Sequence, residues 1–217
     1  MITFVSMQRP LLYLHSILEA LELDAACISL LEQTPEYQEF IYASTPEAIY
    51  RAIRAIGSIL NAQQRADLLA ENLEERINII SHKLKFIANE NKPHVAFFCD
   101  DSPISVLEDG YLANLIRIAG GIPQTGIPTE ESNPSLLIIF NEKPISQLLT
   151  ELPQALVNWS KTAAVANNHI YIVHHPDYLR QPGALIADDA EILAEIFYPK
   201  YFVFGRDEDV WMKFEWQ

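Results

Sequence analysis

Cysteine is nearly missing from this chain of 217 residues, and its scarcity removes one way of holding a fold together. Cys27 and Cys99 are too few for a disulfide framework or a cysteine-based metal cluster. Each falls in a segment read as a strand, where a free thiol behaves as a small apolar side chain; spacing alone does not decide against one bridge between them. Basic residues are scarce too, with 15 Lys and Arg against 29 Asp and Glu and a formal charge of -14. That balance argues against nucleic acid as a partner, because phosphate recognition works through clustered cations that release counterions. Only 7 glycines occur, and there is no Walker loop, dinucleotide fingerprint, zincin motif or Gly-x-Ser-x-Gly elbow. His82 and His94 offer no nucleophile-and-base spacing, so an enzyme is not expected. No apolar run approaches the length of a membrane span, and Met1 to Arg9 lacks the basic start, apolar stretch and small-residue cleavage site of a secretory signal. With Met1 as the native start, a cytoplasmic chain is expected.

What is present is a hydrophobic fraction of 49%, enough to give one large or two small domains real cores. Ile2 to Ser6 reads as a strand, Leu11, Leu14, Ile17, Leu18 and Leu21 recur at helical spacing, and Ala26 to Leu31 reads as a second short strand. Together they predict a small α/β lobe over residues 1–60. Thr45, Pro46 and Glu47 supply an N-cap, a proline at the first helical position and an acidic first turn ahead of Ile49, Ile53 and Ile56. From Ala66, the residues Leu69, Leu73, Ile77, Ile80, Leu84 and Ile87 fall three or four apart with no Pro or Gly until after Asn91. The spacing predicts one long helix within 61–91, roughly 40 Å in length at about 1.5 Å per residue, enough to join two lobes; the same stripe would suit a coiled-coil partner.

Beyond it, strands (Val95 to Cys99, Leu136 to Phe140, Ile170 to Val173) alternate with helices (Tyr111 to Ala119, Ile145 to Val157, Ala184 to Phe197). Such alternation predicts a parallel sheet covered on both faces over 92–217. The tail from Val210 to Trp216 has the alternation of an edge strand. In open α/β sheets ligands sit outside the carboxyl ends of the strands, and the run from Val173 to Pro199 couples such an end to a loop bearing Tyr178 and Arg180.

That run, through Tyr178, Arg180, Pro182, Gly183, Leu185, Glu191, Ile192, Leu193, Ala194, Glu195, Ile196 and Pro199, resembles the C-terminal signature of the substrate-binding proteins of ABC importers for cobalamin, siderophores and haem, the helical-backbone metal receptors. Ala184 and Leu185 stand where the signature has Pro-Arg. Lys92 to Val95, Leu115 to Gly121, Trp159 to Tyr171 and Thr45 to Gly57 are similar to further segments of that family, in the same order. The resemblance implies two Rossmann-like lobes with parallel sheets joined by one long interlobe helix. The segment from Leu31 to Thr45 is too short for the family's further βα units, which implies a reduced N-terminal lobe. The function implied is non-enzymatic: a metal chelate, whether cobalamin, haem or a ferric siderophore, held between the lobes, with no required cofactor, an ABC permease as partner and an extracytoplasmic location. A cytosolic relative whose pocket has decayed, acting as an interaction or assembly module with a homodimer as one form, is the alternative. An enzyme of tetrapyrrole metabolism would rest on fold analogy alone.

The expected ligand-binding residues are Tyr178, Arg180 and Asp177 on one loop and Asp101, Ser102 and Ile104 on another, with Asp100 beside them. A tyrosine ring and a guanidinium suit a flat, partly anionic ligand. Arg180 could instead pair with Asp188 or Asp189 and lock the turn. The acidic run fits no calcium-loop spacing, and Asp109 reads better as a helix cap. His174 and His175 are candidate metal ligands, although neighbours on a strand point to opposite faces and do not readily share one ion. Trp159 reads as a core anchor, and Trp211 and Trp216 as strand residues.

Overall fold

The computed structural model describes residues 9 to 207 and 209 to 216. The chain forms two compact units, one comprising residues up to Ile79 with Gln181–Asp188, the other Ile80–Arg180 with Asp189 onward.

The described part of the first unit is helical. Helix α1 (Arg9–Ala20) and the short helices α2 (Ile28–Leu31) and α3 (Tyr37–Ile41) precede α4 (Pro46–Ile59) and α5 (Gln63–Leu84). Its core is the apolar stripe of the helices: Leu14, Ile17 and Leu18 on α1 with Leu21 just beyond it, Ile49, Ile53 and Ile56 on α4, and Ala66, Ala70 and Leu73 on α5 are all buried. The start of α4 follows its sequence signals, with the Thr45 hydroxyl accepting the Ala48 N–H at 3.3 Å and Pro46 in the first turn. The strand expected at Ala26 to Leu31 is instead a 3-10 turn running into α2. Asp24 caps that turn by accepting the Ala26 N–H at 2.7 Å, and Ile28 and Leu31, three apart, bury one helical face while Ser29 and Leu30 stay exposed. The strand expected at Ile2 to Ser6 lies outside the described residues.

Helix α5 has 22 residues and stops at Leu84, short of the expected Asn91. The Lys85 N–H turns to the His82 carbonyl and the Ile87 N–H to the Leu84 carbonyl, three residues back rather than four. Helices persist where tertiary packing covers their apolar face. Here Phe86 is exposed and Ile87 only partly buried, and Asn89–Asn91, whose asparagines are weak helix formers, makes a separate 3-10 turn.

In the second unit, strands β1 (His94–Cys99), β2 (Ser102–Pro103), β3 (Ile122–Pro123), β4 (Leu136–Phe140), β5 (Ile170–Val173) and β6 (Trp211–Phe214) form one sheet. The order is β2-β1-β4-β5-β6, with β3 also on β1. The pairs β1–β4 and β4–β5 are parallel, as the strand–helix alternation predicts, and the edge strand β6 pairs antiparallel with β5. Every residue of β4 is buried, which explains its unbroken apolar sequence. Helices α6 (Tyr111–Ile118), α7 (Ile145–Ala155), the short α8 (Ala163–Ala166) and α9 (Ile186–Phe197) supply the connections. On one side of the sheet Phe98, Leu137, Ile139, Leu148, Leu152 and Ile172 form a core in which Trp159 meets the Phe98 ring edge-on at 4.9 Å. The described residues contain no helix long and apolar enough to cross a membrane.

Gly57 on α4 permits a close approach to α5, since a Cβ there would lie 2.2 Å from the Ala66 Cβ. Gly57→Ala should therefore destabilise the protein by about 1–3 kcal/mol through overpacking, against the roughly 1 kcal/mol that alanine's helix propensity returns. Urea unfolding measures the net effect; a variant as stable as the wild type would refute this packing.

Candidate functional site

Strand register sets the geometry of the candidate site. Cys99 pairs with Phe140 and Phe140 with Val173, so β1, β4 and β5 end side by side and Asp100, Asn141 and His174 begin three neighbouring loops. Asp100 adopts a left-handed conformation, with φ 51°. Its N–H donates to the Phe140 carbonyl at 2.8 Å, and its buried carboxylate accepts the N–H groups of Glu142 at 2.9 Å and Lys143 at 3.3 Å. The first two loops are thereby tied together by one side chain.

The third loop is fixed from below. Leu179 is buried and left-handed, with φ 59°, a strained conformation for a branched side chain. A fully buried carboxylate, Asp189, holds it by accepting the Leu179 N–H at 2.8 Å and the Tyr111 hydroxyl at 2.7 Å. Tyr178 and Arg180 flank this anchor and both are half-buried.

Arg180 reaches back to the end of β4. Its Nη2 donates to the Asn141 carbonyl at 2.9 Å, its Nη1 lies 3.6 Å from Glu142 Oε1, and its guanidinium covers the Phe140 ring at 4.9 Å. The pairing with Asp188 or Asp189 is not formed, because Asp189 is committed to Leu179 and Tyr111 and Asp188 binds Arg76 through two hydrogen bonds of 3.0 and 3.3 Å. Burial pulls the Arg180 pKa down, and the charges of Glu142, Cys99 and Asp100 oppose that shift. Next to it the Cys99 thiol is pushed up to about 11, mainly by burial and then by Glu142 and Asp100. Such a thiol is essentially all protonated at neutral pH and a poor nucleophile.

Tyr178 packs its ring 4.9 Å from that of His175, and the Arg206 guanidinium lies 5.7 Å from the centre of the Tyr178 ring and donates weakly to the tyrosine hydroxyl at 3.5 Å. Arg206 is held in turn by Glu191, at 3.1 Å. Asp177 is exposed and 3.8 Å from His175 Nδ1. Asp101 and Ser102 are exposed, Asp101 facing Lys143 at 3.5 Å, while Ile104 is partly buried with its N–H on the Phe97 carbonyl. Lys143 also binds Glu151 at 2.7 Å. The His174 and His175 N–H groups both turn to the Val210 carbonyl, and among the described residues no group of three or more His, Cys, Asp and Glu is arranged to hold a metal ion. The N-cap position of α6 is Gly110 rather than Asp109.

Asn141, Glu142 and Arg206 went unnoticed in the sequence, as did the role of Glu191 and Glu195. One signal was available: two glutamates four apart inside an apolar helix must share a buried face. Glu195 accepts the N–H groups of Phe204 at 2.6 Å, Gly205 at 2.9 Å and Arg206 at 3.4 Å, and the Trp211 indole at 3.3 Å. Glu195→Ala should cost about 3 kcal/mol or more, because several donors lose their acceptor at once. Hydrogen exchange at Phe204 to Arg206 should accelerate with it, and Glu195→Gln, which keeps one carbonyl, should lie between; unchanged exchange in the alanine variant would refute the role.

No protein-family model and no curated protein matches the sequence. Solved structures do. An ABC transporter substrate-binding protein from Listeria monocytogenes EGD-e aligns with 16% identity and a TM-score of 0.61 over 72% of this chain and 66% of its own. S. aureus IsdE complexed with haem aligns with 14% identity and a TM-score of 0.64 over 86% of this chain and 96% of its own. An ABC transporter solute binding protein from Sulfurospirillum deleyianum aligns with 17% identity and a TM-score of 0.59 over 74% and 54%. The chain thus spans 54% to 96% of the length of these three proteins, less than two thirds in two of them. At these identities the likeness concerns architecture: the chain has the α/β fold, with its parallel sheet, of the substrate-binding proteins of ABC transporters.

Proposed function

We propose that this protein is a solute-binding protein of the ABC-importer type, one that holds a metal chelate such as cobalamin, haem or a ferric siderophore without acting on it chemically. The observation that carries this reading is the level ending of β1, β4 and β5, with Tyr178 and Arg180 on the loop after β5, Asp101 on the turn after β1, Ser102 at the start of β2 and Ile104 set back beside Phe97. Aromatic and polar groups on the loops outside the carboxyl ends of parallel strands suit a large, partly apolar ligand. The complex of IsdE with haem in the same fold supports the ligand class. On this reading the protein works outside the cytoplasm and passes its ligand to an ABC permease.

Titration with haemin, cyanocobalamin and ferrichrome, followed by tryptophan quenching and calorimetry, tests it. At least one should bind with a Kd in the micromolar range or below. Tyr178→Ala should weaken that binding by roughly tenfold to a hundredfold, the worth of burying one aromatic side chain, with only a small change in melting temperature because the ring is half-exposed. Failure of all three chelates to bind would defeat the proposal.

A further inference from the structure

Resting on the reading above, we infer that the site at the ends of β1, β4 and β5 selects neutral or cationic chelates against chelates carrying free carboxylates, because each cationic side chain there, among the described residues, already has a carboxylate partner. Three cationic side chains lie there. Arg180 faces Glu142 at 3.6 Å and gives a second N–H to the Asn141 carbonyl. Arg206, beside Tyr178, is bound to the buried Glu191 at 3.1 Å. Lys143 sits between Asp101 at 3.5 Å and Glu151 at 2.7 Å.

Among the described residues, six carboxylates stand beside these three, namely Asp100, Asp101, Glu142, Glu151, Asp177 and Glu191, so these nine groups sum formally to three minus six, or -3, with the histidines neutral. An anionic ligand could gain a guanidinium only by displacing its carboxylate, and it would then face that carboxylate at close range. Two like charges about 4 Å apart at a protein surface repel each other far more strongly than they would in open water. Neutral donors such as amide N–H groups, and cations such as an ammonium arm, meet no such opposition. The Cys99 thiol is pushed up first by burial and then by Glu142, Asp100 and Asp101 against an opposing pull from Arg180, in keeping with an excess of negative charge between the strand ends.

The test uses matched probes. Ferrioxamine B carries an ammonium arm; its N-acetyl derivative is neutral and its N-succinyl derivative is anionic, with the same ferric centre in all three. Haemin and its dimethyl ester form a second pair that differs only at the carboxylates. Within whichever series binds, affinity should rise about tenfold for each negative charge removed, and the difference should shrink between 20 mM and 500 mM salt as screening shortens the range of the field. E142Q should raise the affinity for the carboxylate-bearing member about tenfold by freeing Arg180. Tighter binding of the carboxylate-bearing member by the wild-type protein, or discrimination unchanged in E142Q, would overturn the inference while leaving the solute-binding reading standing. Absence of binding by all five probes would overturn the inference, and the solute-binding reading would fall with it only if cyanocobalamin and ferrichrome also failed to bind.

Discussion

The register of three parallel strands is the constraint on which the rest of the second unit depends. Cys99, Phe140 and Val173 stand level only because β1, β4 and β5 pair without a slip, and a shift of one residue would turn the buried side chains of β4 to the wrong face of the sheet. Since β4 is apolar on both faces, packing on either side opposes such a slip. Level strand ends in turn let one short side chain, Asp100, tie the loops after β1 and β4, and let Arg180 return from the loop after β5 to the Asn141 carbonyl. The site geometry is thus a consequence of core packing.

Buried carboxylates do most of the organising around that sheet. Asp100, Asp189, Glu191 and Glu195 are each less than a tenth exposed. A carboxylate removed from water is costly unless its oxygens are satisfied. Each of these is satisfied by groups that need positioning: Asp100 by two loop N–H groups, Asp189 by the strained Leu179 backbone and Tyr111, Glu191 by Arg206, and Glu195 by three successive N–H groups and the Trp211 indole. An acid-rich composition therefore has an architectural use here, beyond keeping a chain of net charge -14 apart from its copies.

The second unit was legible in the sequence where one physical signal dominated. Leu136 to Phe140 and Ile170 to Val173 are continuous apolar runs bounded by polar residues, and both are strands with those limits. Trp159 among small apolar residues is a core anchor, and the alternating tail is an antiparallel edge strand. The first unit misled where a short apolar run was equivocal: Ala26 to Leu31 is too brief for periodicity to separate strand from helix, and the cap from Asp24 decides it. The stripe along α5 overran because spacing records which residues could be buried, whereas the helix ends where nothing covers Phe86. The site was half legible. Tyr178 and Arg180 could be placed on a loop after a strand, but their partners Asn141, Glu142 and Arg206 are more than 25 residues away along the chain, and only the topology brings them together.

Those distant partners decide how the loop behaves as a recognition surface. A free arginine on a mobile loop gains from an incoming anion but must surrender side-chain entropy to meet it, at about 0.5–1.5 kcal/mol for each immobilised side chain. Arg180 has already lost that freedom to Asn141, Glu142 and the face of Phe140, as Tyr178 has in part to His175 and Arg206. On the proposed solute-binding reading, a surface so fixed recognises by shape and by the edges of its rings more than by capturing charge. On that reading the loop after β5 combines low reorganisation with modest electrostatic attraction, and the proposed selectivity among ligands falls to whatever the carboxylates around it repel.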